Sequence, residues 1–139
     1  YFLILSIVFY AENKVILENL PILLLVFILI TIFSFSIGLI LIILINNFEF
    51  IKNIIPLLSR PLFFTSGAIF PLKRVPDEFQ KFVLWNPILH ANELARNALD
   101  SNYIIYQEVS LNFLSYVTLI SFGIAIYLYK NNEKALLRR

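Results

Sequence analysis

The sequence predicts an all-α, polytopic helical membrane protein, on three observations. Of the 139 residues, 60% are hydrophobic and only 14% are charged, whereas a soluble domain carries about 25% charged residues. Residues 20–45 and residues 111–129 each run without a charged side chain. About 20 apolar residues cross the ~30 Å hydrocarbon core as a helix. These lengths favour membrane spans over the buried core helices of a soluble protein.

The first apolar run, residues 1–11 (YFLILSIVFYA), is too short for a complete span. It also lacks the basic flank and the small-residue cleavage site of a signal peptide. We therefore interpret it as the end of a span that begins upstream, and the chain as a fragment. A polar connection over residues 12–19 leads to the span at 20–45, with Asn19 as its N-cap and Pro21 in its first turn.

The next predicted span, residues 54–72, is irregular, because Arg60 and Pro61 interrupt its apolar run. An arginine inside a span costs about 2.5–3.5 kcal/mol on the insertion scale. Arg60 lies about 9 Å of helix rise from Ile54, so snorkelling to the near interface is favoured. A role of Arg60 in a conduit or a subunit contact stays open.

Two short amphipathic helices are predicted in the longest polar connection, residues 73–110, over residues 76–84 and 87–99. Asn86 followed by Pro87 is a strong start signal for the second helix. A helix of ~14 residues spans ~21 Å, which is too short to cross a bilayer. Both helices therefore suit an interfacial or re-entrant position.

The second short helix carries a polar stripe, because His90, Glu93 and Asn97 share one side of it, with Arg96 beside them. These residues offer too few ligands for a metal site and no nucleophile paired with His90. Two interpretations remain, a structural hydrogen-bonded network and a face that touches a polar solute. Trp85 is interpreted as an interfacial anchor.

Charge gives a weak orientation signal and excludes one class of partner. The tail has four basic residues, and so does the 73–110 connection. The density immediately beside the last span favours the tail on the cytoplasmic side. The net charge is +2 and the basic residues are scattered, so no nucleic-acid partner is predicted.

The run RPLFFTSGAIFPLKRVPDEFQKFVLWNPILHANELARNAL (60–99) resembles the C-terminal half of ABC-2 type permeases that export capsular polysaccharide or O-antigen. In that family a phenylalanine-rich span leads to a hydrophobic-Pro turn and then to a W-N-P-x2-H-x2-E-x2-R motif. Every motif position is present here, at Trp85, Asn86, Pro87, His90, Glu93 and Arg96.

The resemblance implies a permease of six spans with both termini cytoplasmic, which forms a homodimer and pairs with P-loop ATPase subunits. ATP and Mg²⁺ would bind those partners, so this chain would be neither an enzyme nor the holder of a cofactor. The two short helices would be periplasmic gate helices of a bacterial inner-membrane protein. The N-terminal interface helix, the first two spans and the coupling helix would lie outside the sequence.

The same resemblance implies a conduit for polysaccharide. Aromatic faces stack on sugar rings, which makes Phe63, Phe64 and Phe70 candidates, although lipid-facing bulk explains them equally well. Arg60, Lys73 and Arg74 could attract an anionic polymer or anchor the interface. Two rival functions stay open, an ABC-2 permease for teichoic acid, lipid or drug, and a membrane scaffold subunit that does not transport.

Overall fold

The computed structural model describes residues 19–100 and 102–136. Within those ranges the fold is all-α, as predicted. The helices are α1 (Leu20–Asn47), α2 (Ile51–Phe64), α3 (Asp77–Val83), α4 (Pro87–Leu99) and α5 (Leu111–Leu136), with a 3₁₀ turn at Leu72–Arg74. The predicted partial span over residues 1–11 lies outside the described residues.

Two helices, α1 and α5, are long and apolar enough to cross a membrane. Their spanning stretches, Leu20–Asn47 and Leu111–Glu133, have mean hydropathies of 3.0 and 1.8. Large apolar side chains cover their outer faces, including Phe35 at 62% exposure and Ile28 at 53%. A soluble monomer rarely exposes contiguous apolar surface on this scale, so these faces fit lipid or other spans. The predicted polytopic helical membrane protein is confirmed.

The two long helices run parallel. Near their starts, Val26 of α1 and Leu114 of α5 belong to one buried apolar cluster. Near their ends, the Asn47 side-chain amide donates to Asn132 Oδ1 at 3.3 Å. Both helices therefore begin at one end of the bundle and finish at the other, and the chain between them must return.

The return begins with α2, which is shorter than the predicted span over 54–72. The helix covers Ile51–Phe64, and residues 65–70 continue as turns and bends. Its 14 residues rise about 21 Å. Proline removes a helix donor, and Gly67 takes a left-handed φ of 72°. Pro56 and Pro61 nevertheless lie inside the helix, which continues through them to Phe64, and Gly67 lies three residues beyond its end. The helix covers 51–64, and a membrane span over 54–72 stays a prediction.

The two predicted short helices follow each other as α3 and α4, a pair that we call the hairpin, and α4 lies beside the starts of α1 and α5. Ala91 of α4 packs with Val26 and Leu114, while Ala95 and Ala98 pack with Leu23. Val26 lies about 9 Å of helix rise below Leu20, so the start of α4 is its deeper end. The hairpin thus dips into the bundle, and α4 packs inside the fold instead of along its surface.

Candidate functional site: a polar clasp on α4

Helix α4 has two buried faces of opposite character. Its alanine face lets α1 and α5 approach closely, since small residues bring helix backbones together. Its polar face contacts the backbone at the end of α2 and in the turn that follows. We call the four polar side chains that hold this backbone the clasp, which consists of Asn86, Asn92, Glu93 and Arg96.

Asn86 starts α4 and also holds the end of α2. Its Oδ1 accepts a hydrogen bond from the Ile88 N–H at 3.0 Å, which caps α4. Its amide nitrogen donates to the Leu62 carbonyl at 2.9 Å and to Thr65 Oγ1 at 3.0 Å. The Leu62 carbonyl is among the last of α2, which have no partner inside their own helix. One side chain therefore caps two helices.

Two carbonyls four and five residues further along the chain are bound from the same helix. The Asn92 amide donates to the Ser66 carbonyl at 2.9 Å, and Arg96 Nη2 donates to the Gly67 carbonyl. Gly67 has a φ of +72°, and a Cβ there would lie 2.5 Å from Leu89 Cδ1, so any other residue would be strained and would push the Leu89 side chain aside. Buried main-chain polar groups outside regular helices need partners, and the clasp supplies them here.

Glu93 is the centre of the clasp and is fully buried. Its Oε1 accepts from the Leu72 N–H at 3.1 Å and from Arg96 Nη1 at 2.8 Å. Its Oε2 accepts from the Tyr103 hydroxyl at 2.6 Å. Burial, followed by this hydrogen bond to Glu93, raises the pKa of Tyr103 to about 12. Tyr103 therefore stays a neutral donor, and the buried carboxylate is satisfied by three donors.

His90 joins the hairpin to the start of α5. Its Nδ1 accepts from the Ser110 N–H at 3.0 Å, and its Nε2 lies 2.7 Å from the Leu84 carbonyl. An acceptor nitrogen carries no proton, so the hydrogen-bond network assigns the neutral tautomer with the proton on Nε2. Burial lowers the pKa of His90 and outweighs the opposing effect of the bond to Leu84.

This lowered pKa predicts a pH dependence of stability. The unfolded chain takes up the His90 proton near pH 6.5, whereas the folded chain takes it up only at lower pH. Neutral His90 therefore makes its full contribution to folding stability above pH 6.5, and that contribution is lost as the pH falls toward the lower pKa of the folded state. We expect the melting temperature of the full-length protein in detergent to fall less between pH 7 and pH 5.5 in His90→Gln than in the unchanged protein. Equal slopes would contradict the assignment.

The ABC-2 type transporter family matches residues 1–99 of the chain, a range that includes the whole of the clasp. The chain belongs to the ABC-2 type transporter family. The polysialic acid transport protein KpsM of Escherichia coli is 36% identical over 137 residues, which cover 99% of this chain and 53% of the relative. The capsule polysaccharide export inner-membrane protein BexB of Haemophilus influenzae is 29% identical over 108 residues, covering 78% and 40%.

A shorter similarity links this ABC-2 chain to nodulation protein J of Sinorhizobium fredii, with 44% identity over 43 residues, covering 31% of this chain and 16% of the relative. The chain spans about half the length of the polysialic acid transport protein that it matches. The resemblance drawn from the Trp-Asn-Pro…His…Glu…Arg motif is thereby confirmed at the level of the family.

The motif residues of the ABC-2 chain divide into an inner and an outer set. Asn86, Glu93 and Arg96 meet in the clasp, and His90 lies beside it, whereas Trp85 is 81% exposed. Trp85 lines an open groove of about 350 Å³ together with Lys81, Leu84 and Phe113. Its role as an interfacial anchor stays a prediction.

The predicted conduit residues lie outside the clasp. Their side chains are exposed on α2 and on the turns after it: Arg60, Phe63, Phe64, Phe70, Lys73 and Arg74. Exposure on the outside of this chain is compatible with contact to lipid, to a second chain or to a glycan. A conduit role for these residues stays a prediction.

Sequence reasoning missed two side chains of the ABC-2 site and its main partners. Asn92 and Tyr103 were not singled out, although both contact the clasp or its targets. Tyr103 follows Glu93 by ten positions across an irregular loop, so no helical spacing connects them. The carbonyls of Leu62, Ser66 and Gly67 are main-chain groups, so the side-chain chemistry of the sequence gives no signal for them.

Proposed function

We propose that this chain is part of the permease subunit of an ATP-driven exporter that moves polysaccharide across the bacterial inner membrane. The observation that carries the proposal is the similarity along 99% of the chain to a polysialic acid transport protein. The helical architecture supports it, because two parallel spans and a dipping hairpin provide a fixed frame and an insert that can move against it. The chain would serve transport without catalysing a reaction.

The proposed partners follow from the family. A P-loop ATPase subunit would bind ATP and Mg²⁺ and power export, and a second copy of the permease would complete the pathway. An anionic polymer cannot enter hydrocarbon and needs a lined route. The exposed basic residues Arg60, Lys73 and Arg74, together with Phe63, Phe64 and Phe70, are the proposed contacts.

The proposed topology places residues 73–110 in the periplasm and the C-terminal tail in the cytoplasm. The parallel arrangement of α1 and α5 supports it, since both helices then start on the periplasmic side and end near the basic tail. Because the 139 residues contain no cysteine, single cysteines can report on each side.

We expect Ile104→Cys, at a position that is 78% exposed, to react with a membrane-impermeant maleimide in intact cells. Glu133→Cys, exposed at the other end of α5, should react only after the inner membrane is permeabilised. The two variants control each other, because both positions are open to solvent and differ only in side. The reverse pattern would overturn the proposed topology.

The activity itself is tested with the full-length protein and its ATPase in proteoliposomes. We expect ATP-dependent movement of capsular polysaccharide across the vesicle membrane, and none when the Walker A lysine of the ATPase is replaced. Movement of another cargo, with none of polysaccharide, would favour an ABC-2 permease of different specificity. ATP hydrolysis with no transported cargo would favour a scaffold subunit.

A further inference from the structure

Helix α2 has an unusual attachment to the rest of the described chain. None of its 14 residues is buried, and only Ile51 and Ile55 are half-buried, so the other described segments leave most of its sides open. It is joined to α1 through residues 48–50, where the Ile51 N–H donates to the Phe48 carbonyl at 3.1 Å. Its other end is held by the clasp. The helix is thus a rod attached at its two ends.

The attachment at the clasp end is made by three donors on one face of α4. Asn86 binds the Leu62 carbonyl and Asn92 binds the Ser66 carbonyl, both at 2.9 Å. Arg96 adds the Gly67 carbonyl, and its other nitrogen stays on Glu93 at 2.8 Å. Three bonds at successive points along the chain resist both sliding and rotation of the helix end.

The other face of α4 rests on small side chains. Ala95 and Ala98 contact Leu23 of α1, and Ala91 contacts α1 and α5. Leu94 and Leu99 of α4 pack in the same clusters, and His90 lies against Phe113 of α5. Helix α4 is therefore held to α1 and α5 by apolar packing, and to the end of α2 by hydrogen bonds to main-chain carbonyls.

We propose that Asn86, Asn92 and Arg96 are positioning residues that fasten the end of α2 to α4, so that the two helices keep one relative position during transport. This rests on the proposed function, and it deepens it by naming the part that moves as one body. Residues 48–50 serve as the hinge. The three side chains act through the backbone of residues 62–67 and need no contact with the transported polymer.

The test uses Asn92, because its isosteric variants separate hydrogen bonding from packing. Asn92→Leu removes the donor, and Asn92→Asp places a second acceptor against the Ser66 carbonyl. We expect export to fall in both variants, and further in Asp than in Leu, while the amount of folded protein and its ATPase rate are kept. If only the volume of the side chain mattered, Asn92→Asp would export at nearly the rate of the unchanged protein. Asn53→Leu and Asn53→Asp, on the exposed side of α2, are the matched controls.

A distance measurement tests the fastening without any transport. Spin labels at Leu57, which is 72% exposed, and at Asp100, the exposed C-cap of α4, report the separation of the two helices in the full-length protein with its ATPase. We expect one narrow distance in the unchanged clasp, both without nucleotide and in the trapped ATP state. Loss of one such bond in a membrane shifts an equilibrium roughly threefold, so Asn92→Leu should add a second distance.

The outcomes separate this proposal from the function on which it rests. An Asn92→Leu distribution as narrow as that of the unchanged protein would overturn the fastening, and so would an α2–α4 distance that changes between nucleotide states with the clasp intact. If neither the unchanged protein nor its variants export polysaccharide, but Asn92→Leu still changes the distance distribution, the proposed cargo is wrong and the fastening of α2 to α4 is supported.

Discussion

Glu93→Ala is expected to lower the free energy of unfolding by about 3 kcal/mol, the lower end of the cost of breaking a buried ion pair, because the Arg96 side chain that remains is 30% exposed. Glu93 is fully buried and accepts hydrogen bonds from the Leu72 N–H, from Arg96 and from the Tyr103 hydroxyl. The alanine variant leaves those three donors without their acceptor, and water reaches the site poorly. The melting temperature of the full-length protein in detergent and its yield in membranes measure the loss.

Glu108→Ala is the matched control, because Glu108 is an exposed carboxylate on the loop that precedes α5. It should leave the melting temperature unchanged within error. The melting temperature of Glu93→Gln should fall between those two variants. Its amide oxygen still accepts a hydrogen bond, but its NH₂ group faces a neighbouring hydrogen-bond donor. Exchanging the charges in Glu93→Arg with Arg96→Glu should not restore stability, because Leu72 and Gly67 offer a fixed N–H and a fixed carbonyl. Full rescue by the exchange would mean that the charge pair alone matters.

Gly67→Ala is the second change with a large expected effect. The left-handed φ of 72° costs an L-residue about 1–2 kcal/mol. The new Cβ would also lie 2.5 Å from Leu89 Cδ1, in the core under α4, and overpacking costs a further 1–3 kcal/mol or so. We therefore expect a loss of about 2 kcal/mol or more, seen as a lower melting temperature and weaker protection of α4 from hydrogen exchange.

The other two glycines provide controls of opposite sign. A Cβ at Gly38 or at Gly123 meets nothing within 4 Å, and both residues lie inside helices. Alanine should be neutral there or stabilise the helix by up to about 1 kcal/mol. Were Gly67→Ala as harmless as Gly38→Ala, the tight contact between the turn and α4 would be absent in the protein.

The long spans and the start of α4 could be predicted because each has a local cause. An uncharged run of 26 residues determines the approximate bounds of α1 in the sequence. Asn86 followed by Pro87 starts α4 at the predicted residue. The end of α2 at Phe64 was not predicted, since prolines and Gly67 mark a break without saying whether it bends or ends a helix. Only the fold decides this, by supplying partners for the freed carbonyls.

The direction of the polar face of α4 was also open from the sequence. Amphipathic spacing shows that His90, Glu93 and Arg96 share a side, and both a network and a solute were compatible with it. The structure turns that side inward, onto main-chain groups that a sequence does not display. Tyr103 completes the site from a loop, where neither a helical nor a strand period applies.

The clasp joins side chains on one segment to main-chain carbonyls on another. Substitutions at Leu62 or Ser66 leave those carbonyls in place, so neither position has to change when its partner on α4 changes. Among homologues, selection should therefore conserve the donor side chains of α4, Asn92 and Arg96, and not the residues whose carbonyls they bind. Paired sequence changes between α2 and α4 should be weak, and methods that infer contacts from such pairs would overlook this junction.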